Sequence, residues 1–216
     1  MPPTTFGRTN RVLPAVWLQL AQPDGAAPNA YEDLAASALA SGAPIDLTTG
    51  PALWGGFMRG TDAFLTIAGN RDYERATDDR HSADLVSAHL LESLSAIGRE
   101  SWDIYFLRVR QAVEEYQISG ALEALEMAKQ EGHVRYLGLL CDGPALATLG
   151  MWQFHDAFEA LLVKDQDGFD TLSPMAKSRR VGVVRAEGVA GGDGPTLITV
   201  RSAEDVRRAT RSHRDV

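Results

Sequence analysis

The sequence predicts an α/β fold in which helices cover a parallel β-sheet. The prediction rests on the segment 81–142, where two stretches, 82–97 and 119–131, have the apolar spacing of amphipathic helices. A short apolar stretch follows each of them, at 103–107 and 134–140. These apolar stretches lack strict polar alternation, as is typical of strands covered on both faces. Consecutive helix–strand units of this kind indicate a parallel sheet.

The ends of these two helices carry recognisable signals. In the first helix the apolar residues recur at steps of four, four and three residues, namely Val86, Leu90, Leu94 and Ile97. Ser82 is its expected N-cap and Gly98 its C-terminal stop, while Gly132 ends the second helix. Each helix therefore has one apolar face that must pack on the sheet.

The rest of the chain continues the alternation of strands and helices. The predicted strands are 15–20, 45–48, 63–68, 103–107, 134–140, 160–163, 181–185 and 196–200. The predicted helices are 31–41, 82–97, 119–131, 144–154, 170–178 and a last helix opened by the capping-box pattern of residues 202–205. A compressed, glycine-rich connection joins the second and third strands. Eight strands in about 200 residues approach the lower size limit of a (β/α)8 TIM-type barrel, so we expect one barrel domain over residues 1–216.

The barrel is expected to be shortened and to lack its seventh helix. Residues 186–195, between strands seven and eight, contain four glycines and show no helical periodicity. Ten residues can still cross back along a strand of five, because an extended chain gains about 3.3 to 3.6 Å per residue. We therefore expect an apolar outer surface on strands seven and eight. The C-terminal helix, the loop or a second subunit in a homodimer would cover it.

Composition excludes several classes of protein. A net charge of −8 argues against nucleic acid as a partner, since phosphate binding needs a basic face. One cysteine, Cys141, excludes an internal disulfide and is expected to be a small core residue. No apolar run reaches the eighteen or so residues of a membrane span, and Pro14 and Gln19 interrupt the only segment that resembles a secretory signal. We expect a cytoplasmic protein that does not bind membranes.

Several motifs resemble those of the aldo-keto reductases. The runs "SLSAIGRESWDIYFLRVRQ" and "ALEALEMAKQEGHVRYLGLL" resemble the middle of that family, and "TTFGRTNRVLPAVWLQL" its opening hairpin and first strand. "ASGAPIDLTTG" is similar to its second strand and "ITVRSAEDVRRAT" to its last strand and cofactor-gripping helix. The resemblance implies a barrel that transfers hydride from NADPH to a carbonyl. A tyrosine would be the proton donor, with an aspartate, a lysine and a histidine beside it.

Most of the implied catalytic residues are absent. Asp46 stands at the place of the catalytic aspartate, although an aspartate at a strand end is as often a loop cap. Arg108 replaces the histidine, and no lysine occurs before Lys129. No tyrosine follows Asp46 closely, where the chain has Leu53 and Trp54. Only the aspartate is a catalytic candidate.

The cofactor signature is also incomplete. Arg201, Ser202 and Glu204 fit the family's phosphate-gripping pattern in the last helix. Leu140 and Cys141 replace the Ser-Asn pair that holds the nicotinamide, and Arg208-Ala209 replaces the Glu-Asn pair near the adenine. NADPH binding of the strength seen in the family is therefore not expected.

Four cations are predicted at the carboxyl ends of the strands, where barrels of this kind place their active sites. They are Arg108, Lys164, Arg185 and Arg201, and the helix N-terminus at Ser202 adds backbone donors. The sequence thus predicts a site for a small anionic ligand. The alternative is that these cations pair with Asp142, Asp165 or Glu187 as ordinary surface charges. The five histidines show no ligand spacing, so no metal site is predicted.

Three functions remain open from the sequence. The first is a pseudoenzyme, a barrel that has lost reductase catalysis and acts as a ligand-binding or regulatory protein. The second is an NADPH-dependent oxidoreductase in which Asp46 and Arg108 act beside the nicotinamide; arginine is a poor proton donor, so water or substrate would supply the proton. The third is a barrel hydrolase that uses Glu187 with Glu114 or Glu115 as paired carboxylates.

Overall fold

The computed structural model describes residues 4–23 and 29–211 of the 216-residue chain. An antiparallel hairpin opens it, formed by β1 (Thr4–Phe6) and β2 (Arg11–Leu13) around a 3₁₀ turn. Phe6 and Leu13 are buried against the base of the barrel, next to Trp17. The opening hairpin predicted from the sequence is thereby confirmed.

Eight parallel strands follow and close into a barrel, in the order β10-β3-β4-β5-β6-β7-β8-β9. They are β3 (Val16–Leu20), β4 (Ile45–Asp46), β5 (Leu65–Ala68), β6 (Trp102–Val109), β7 (Val134–Cys141), β8 (Ala160–Val163), β9 (Gly182–Ala186) and β10 (Thr196–Val200). The ring closes where Thr196 pairs with both Val16 of β3 and Arg185 of β9. The eight-stranded barrel predicted from the sequence is confirmed.

The described part of the chain contains seven α-helices. They are α1 (Ala30–Ser41), α2 (Pro51–Met58), α3 (Asp79–Ile97), α4 (Glu115–Gln130), α5 (Ala145–Trp152), α6 (Gln166–Ser178) and α7 (Ala203–Arg211). None of these helices is both long and apolar enough to cross a bilayer. Residues 187–195, between β9 and β10, form turns and no helix. The shortened barrel without its seventh helix is therefore confirmed.

Some helix starts differ from the prediction, since α4 and α6 each begin four residues earlier, at Glu115 and Gln166. The compressed connection between β4 and β5 contains the short helix α2: Pro51 starts it, and Gly55 lets it lie against α3, where a Cβ would stand 2.1 Å from the Ala96 carbonyl oxygen. The N-cap of α3 is Asp78, whose carboxylate accepts from the His81 N–H. Ser82 instead is buried and donates to the Gln117 carbonyl of α4.

The core has two layers because successive strand residues face opposite sides of the barrel wall. The inner layer fills the barrel with side chains that include Trp17, Ile104, Phe106, Leu140, Leu162, Val184 and Leu197. The outer layer lies between strands and helices and includes Leu18, Ile45, Ile67, Leu107, Leu139 and Val163. Along one strand, side chains thus point alternately into the barrel interior and towards the surrounding helices.

The outer side of β9 keeps a groove where the seventh helix is missing. Its volume is about 770 Å³, and it lies between the hairpin, α6 and the loop 187–195. The loop packs against Phe169 of α6, and α7 packs on α1 and β10. The loop and the C-terminal helix therefore cover part of the outer surface of β9 and β10, as expected. Covering by the second subunit of a homodimer stays a prediction.

Candidate functional site

Asp46 lies inside the barrel with both carboxylate oxygens hydrogen-bonded. Its Oδ1 accepts from Gln19 Nε2 at 3.0 Å and from the Thr48 N–H at 3.2 Å. Its Oδ2 accepts from the hydroxyls of Thr48 at 3.0 Å and Thr66 at 2.9 Å. The side chain is fully buried, and this burial raises the pKa of Asp46 while the four hydrogen bonds act to lower it.

The hydrogen bonds of Asp46 extend into a network across four strands. Thr199 of β10 donates to Gln19 Oε1 of β3 at 3.1 Å, and the Ala68 N–H of β5 donates to Thr48 Oγ1 at 2.8 Å. Asp46 and Thr66 are buried and need partners inside the protein, whereas Thr199, at the end of this network, is exposed to water. All the donors at Asp46 are neutral amides or hydroxyls, so the network positions the carboxylate and supplies no cation to it.

No lysine or tyrosine contacts Asp46 in the described part of the chain. All three lysines of the sequence lie elsewhere, since Lys129 pairs with Glu159, Lys164 pairs with Asp142 and Lys177 lies on α6. The tyrosines are also distant. Tyr31 packs on Trp54, and Tyr136 donates to the Thr9 carbonyl near the hairpin.

One histidine and one tyrosine do meet, on the outer side of the barrel wall. His89 Nδ1 of α3 lies 2.8 Å from the hydroxyl of Tyr105, which alternates with the inward-facing Ile104 and Phe106 on β6. Burial raises the pKa of Tyr105 and lowers the pKa of His89. The pair packs behind the wall and faces neither Asp46 nor the interior.

Arg108 is the predicted cation that faces the mouth of the barrel. It follows the inward-facing Phe106 by two residues on β6, and its guanidinium lies 3.8 Å from Asp142 Oδ2. Lys164, after β8, contacts the other oxygen of Asp142 at 2.6 Å. The Nε of Arg108 is buried and has no hydrogen-bond partner among the described residues. An unpaired buried donor is unfavourable unless a ligand or water completes it.

A pocket of about 490 Å³ opens beside Arg108. It is lined by Asn70, Arg71, Asp72, Glu74, Arg75, Arg108 and Gln111. Arg75 pairs with Asp72, and Glu74 Oε1 accepts the Arg110 N–H at 3.0 Å. The guanidinium of Arg71 makes no hydrogen bond or ion pair within the described ranges. Two arginines, 71 and 108, thus retain donors at one pocket.

The loop that forms this pocket is fastened to the end of β6. The hydroxyl of Tyr73 donates to the Arg108 carbonyl at 2.9 Å, and burial raises the pKa of Tyr73 above its ordinary range. Sequence reasoning missed Asn70, Arg71, Arg75 and Gln111. The available signal was the polar segment 69–81 directly after the third barrel strand, since loops at that end of a barrel carry function.

Arg185 is not at the mouth, in contrast to the prediction. It follows the inward-facing Val184 on β9 and therefore points outward, where it lines the groove of the missing helix. Its guanidinium donates to the carbonyls of Val189 at 3.2 Å and Gly194 at 2.9 Å. Through these two hydrogen bonds Arg185 fixes the conformation of the loop 187–195.

The three predicted residues at α7 lie across the barrel from Arg108. Ser202 is the N-cap, and its hydroxyl accepts the Asp205 N–H at 3.1 Å. Glu204 pairs with Arg207 on the exposed side of α7 at 2.9 Å. The Arg201 N–H donates to Asp205 Oδ2 at 3.1 Å. These contacts cap and stabilise the helix start, so the four predicted cations do not form one cluster.

The residues that stand at the place of the family's Ser-Asn pair lie on opposite faces of β7. Leu140 faces the barrel interior, and Cys141 is buried on the outer side of β7, where burial raises the pKa of its thiol. Neither can offer the side-chain amide that the family motif implies. Glu114, one of the predicted hydrolase carboxylates, caps α4 in a box with Gln117. Within the described ranges no group of His, Cys, Asp or Glu is suited to a metal ion, and His213 lies outside them.

Comparison with known proteins gives a clear likeness in structure. No protein-family model and no curated protein matches the sequence. An aldo-keto reductase from Bacillus halodurans in its holo form superposes with a TM-score of 0.76 at 15% identity, over 98% of this chain and 90% of that one.

Two further aldo-keto reductases are about as similar. One from Brucella melitensis gives a TM-score of 0.74 at 12% identity, over 97% of this chain and 92% of that one. One from Klebsiella pneumoniae in complex with NADPH gives a TM-score of 0.74 at 14% identity, over 100% of this chain and 90% of that one. At such identities the likeness concerns the fold. The chain therefore has the barrel fold of the aldo-keto reductases, as the motifs of its sequence predict.

Proposed function

We propose that this barrel binds a small anionic ligand at its mouth, beside Arg108, and does not reduce carbonyls. The observation that carries the proposal is the buried Nε of Arg108, which has no partner among the described residues while the side chain lines an open pocket. A carboxylate or phosphate oxygen would satisfy it, because guanidinium donors match such anions in geometry and charge. Arg71, at the same pocket, would contribute a second cation.

The state of Asp46 supports the loss of carbonyl reduction. Its two oxygens are occupied by neutral donors, and neither a lysine nor a tyrosine contacts it within the described ranges. General acid catalysis needs a group whose proton lies within hydrogen-bond reach of the substrate and whose pKa is suitable. Asp46 cannot offer this from its position in the network, so we assign it a structural task.

A titration with inorganic phosphate, followed by calorimetry, tests the proposal. We expect saturable binding to the wild-type chain and at least tenfold weaker binding to Arg108→Ala. Arg71→Ala should weaken binding to a smaller degree, because this side chain is more exposed. Arg201→Ala and the exposed Arg80→Ala are the controls, and we expect both to keep the wild-type affinity. Equal affinities for wild type and Arg108→Ala would disprove the proposal.

A second candidate is an NADPH-dependent oxidoreductase, which the likeness to the NADPH complex of the Klebsiella pneumoniae enzyme favours. A titration with NADPH separates the two candidates. All four tryptophans are buried, so thermal shift and the fluorescence of the bound nicotinamide are better readouts than tryptophan quenching alone. Saturable micromolar binding with oxidation of NADPH by a carbonyl compound would establish the second candidate. Phosphate binding without either result would favour the first.

A further inference from the structure

The ring of helices around the barrel is open between α4 and α5. The main contacts of α4 are with α3 and β7, while α5 packs on α6. Two hollows of about 400 Å³ and 270 Å³ lie side by side along α4 in this opening. We call the two together the α4–α5 groove; Ile118, Leu122, Glu123 and Glu126 of α4 line one side of it, and Leu146 and Phe154 line the other.

The floor of the groove is apolar, and so are several of its walls. Ile118, Leu122 and Met151 are buried at the bottom. Leu146 and Phe154, on the α5 side, are 73% and 77% exposed, more than the other large apolar side chains of the described residues. Adjacent exposed apolar groups of this size are unfavourable in water and mark interaction surfaces.

The rim of the groove is acidic. Glu115, Glu123 and Glu126 line it, with His155 Nε2 3.5 Å from Glu115 Oε1, and no lysine or arginine of the described residues does. The cations nearby are engaged elsewhere, since Lys129 pairs with Glu159 and Arg179 donates to the carbonyls of Trp152, Gln153 and His155. An apolar floor between carboxylates attracts a partner that is apolar on one side and basic on the flanks.

We propose that the α4–α5 groove binds a basic amphipathic helix of a partner protein. The sixteen residues of α4 give the groove a length of about 24 Å, which suits a helix of about four turns. Apolar residues of that helix at positions i, i+3, i+4 and i+7 would cover Leu146, Leu122 and Phe154. Flanking lysines or arginines would pair with Glu123 and Glu126.

A second copy of this chain is a poorer occupant. In a symmetric dimer the same surface meets itself, so the acidic rims of two copies would face one another. The chain also carries a net charge of −8, which adds a general repulsion. Its own basic helix, α7, is already packed on α1. A partner with opposite charge therefore fits the groove better. The inference does not depend on the ligand proposed for the barrel mouth.

Fluorescence anisotropy with a labelled synthetic peptide tests the inference. The peptide has about 14 residues, with leucines at helical spacing and lysines elsewhere, and its control has glutamates in place of lysines. We expect the full chain to bind the lysine peptide and not the glutamate peptide. Leu146→Asp and Phe154→Ser should each lower the affinity at least tenfold, and the double variant Glu123→Lys, Glu126→Lys at least fivefold.

Leu91→Asp is the matched control, because Leu91 is 53% exposed on α3, away from the groove. It should bind the lysine peptide like the wild type, and circular dichroism should show that all variants are folded. Equal binding by Leu146→Asp and Leu91→Asp would overturn the inference, and so would equal binding of the two peptides. A dimer that Leu146→Asp dissociates, in a chain that binds neither peptide, would assign the groove to a second copy and overturn it as well.

Discussion

Gln19 donates from its side-chain amide to Asp46 at 3.0 Å in the barrel interior. The resemblance to aldo-keto reductases implies a cation beside this aspartate, and the neighbour here is a neutral amide. The amide itself takes no part in proton transfer, because it neither gains nor loses a proton near neutral pH. It does connect β3 to β4, and the Thr66 hydroxyl connects the same carboxylate to β5. Asp46 thus links three neighbouring strands.

The pH dependence of stability should reveal the burial of Asp46. Its pKa is raised in the folded state above the ordinary value of 3.8, so folding favours the protonated form. The associated stability is present below pH 3.8 and is lost as the pH rises through the raised pKa. We therefore expect the free energy of unfolding of wild type, relative to Asp46→Asn, to fall as the pH rises above about 3.8. Urea unfolding at each pH measures this difference.

Asp205→Asn provides a control of opposite sign. The Arg201 N–H lowers the pKa of Asp205, so this carboxylate stabilises the fold above its unfolded pKa and loses that effect as the pH falls. Relative to Asp205→Asn, the wild type should become more stable as the pH rises. If the free energy of unfolding varied with pH in the same way for wild type and Asp46→Asn, a raised pKa of Asp46 in the folded state would be contradicted.

Neutralising Asp142 should strengthen anion binding at the barrel mouth. Asp142 is shared by Arg108 and Lys164, so it competes with any anionic ligand for both cations. Partly exposed ion pairs contribute about 0.2 to 1 kcal/mol, which corresponds to an expected gain of up to about fivefold in phosphate affinity for Asp142→Asn. Calorimetric titration of wild type and Asp142→Asn with inorganic phosphate measures this gain in affinity. Asp156→Asn removes one ion-pair partner of Arg8, which lies in the turn of the hairpin, and should leave the affinity unchanged.

The parts of the fold that follow periodic rules could be predicted from the sequence. The steps from Val86 to Ile97 identify α3, and the apolar runs identify β6 and β7, because burial on a helix or strand imposes a period. Four glycines in residues 186–195 correctly indicated the missing helix. The bounds of α2 could not be predicted, because its two adjacent glycines disfavour a helix locally, whereas packing against α3 requires one of them.

The site could be predicted only in part. Arg108 was found because a strand end is visible in the sequence, but the orientation of Arg185 depends on strand register, and a shift of one residue reverses the face. The pocket residues Arg71 and Gln111 lie in loops without periodicity, so their approach to Arg108 depends on tertiary structure alone. Ser202 was found as a helix cap, yet nothing in its local sequence shows the distance to Arg108.

Removing the side chain of Arg185 should loosen the loop that replaces the seventh helix. The guanidinium donates to the carbonyls of Val189 and Gly194, so Arg185→Ala leaves both without this partner. We expect a loss of about 1 to 3 kcal/mol in the free energy of unfolding. Hydrogen exchange over residues 187–195 should also become faster. Lys177→Ala, at the same groove, is the control and should change neither quantity.

That variant also separates the loop from the mouth. Because Arg185 points away from the barrel interior, Arg185→Ala should bind phosphate with the wild-type affinity. A large loss of phosphate affinity, without a change in the exchange of the loop, would show that Arg185 acts at the mouth and would contradict its assigned position.

Two glycine-to-alanine changes in neighbouring helices should have opposite effects. Alanine in place of a helical glycine ordinarily stabilises a protein by about 0.5 to 1 kcal/mol. At Gly120 of α4, however, a Cβ would lie 1.9 Å from the Asp79 carbonyl oxygen of α3, so the two helices would have to separate. We expect Gly120→Ala to lower the free energy of unfolding by about 1 to 3 kcal/mol. At Gly150 of α5 the same Cβ meets no atom within 4 Å, so Gly150→Ala should give the ordinary gain. Urea unfolding of both variants checks this, and a gain for Gly120→Ala would mean that α3 and α4 are not as close as described.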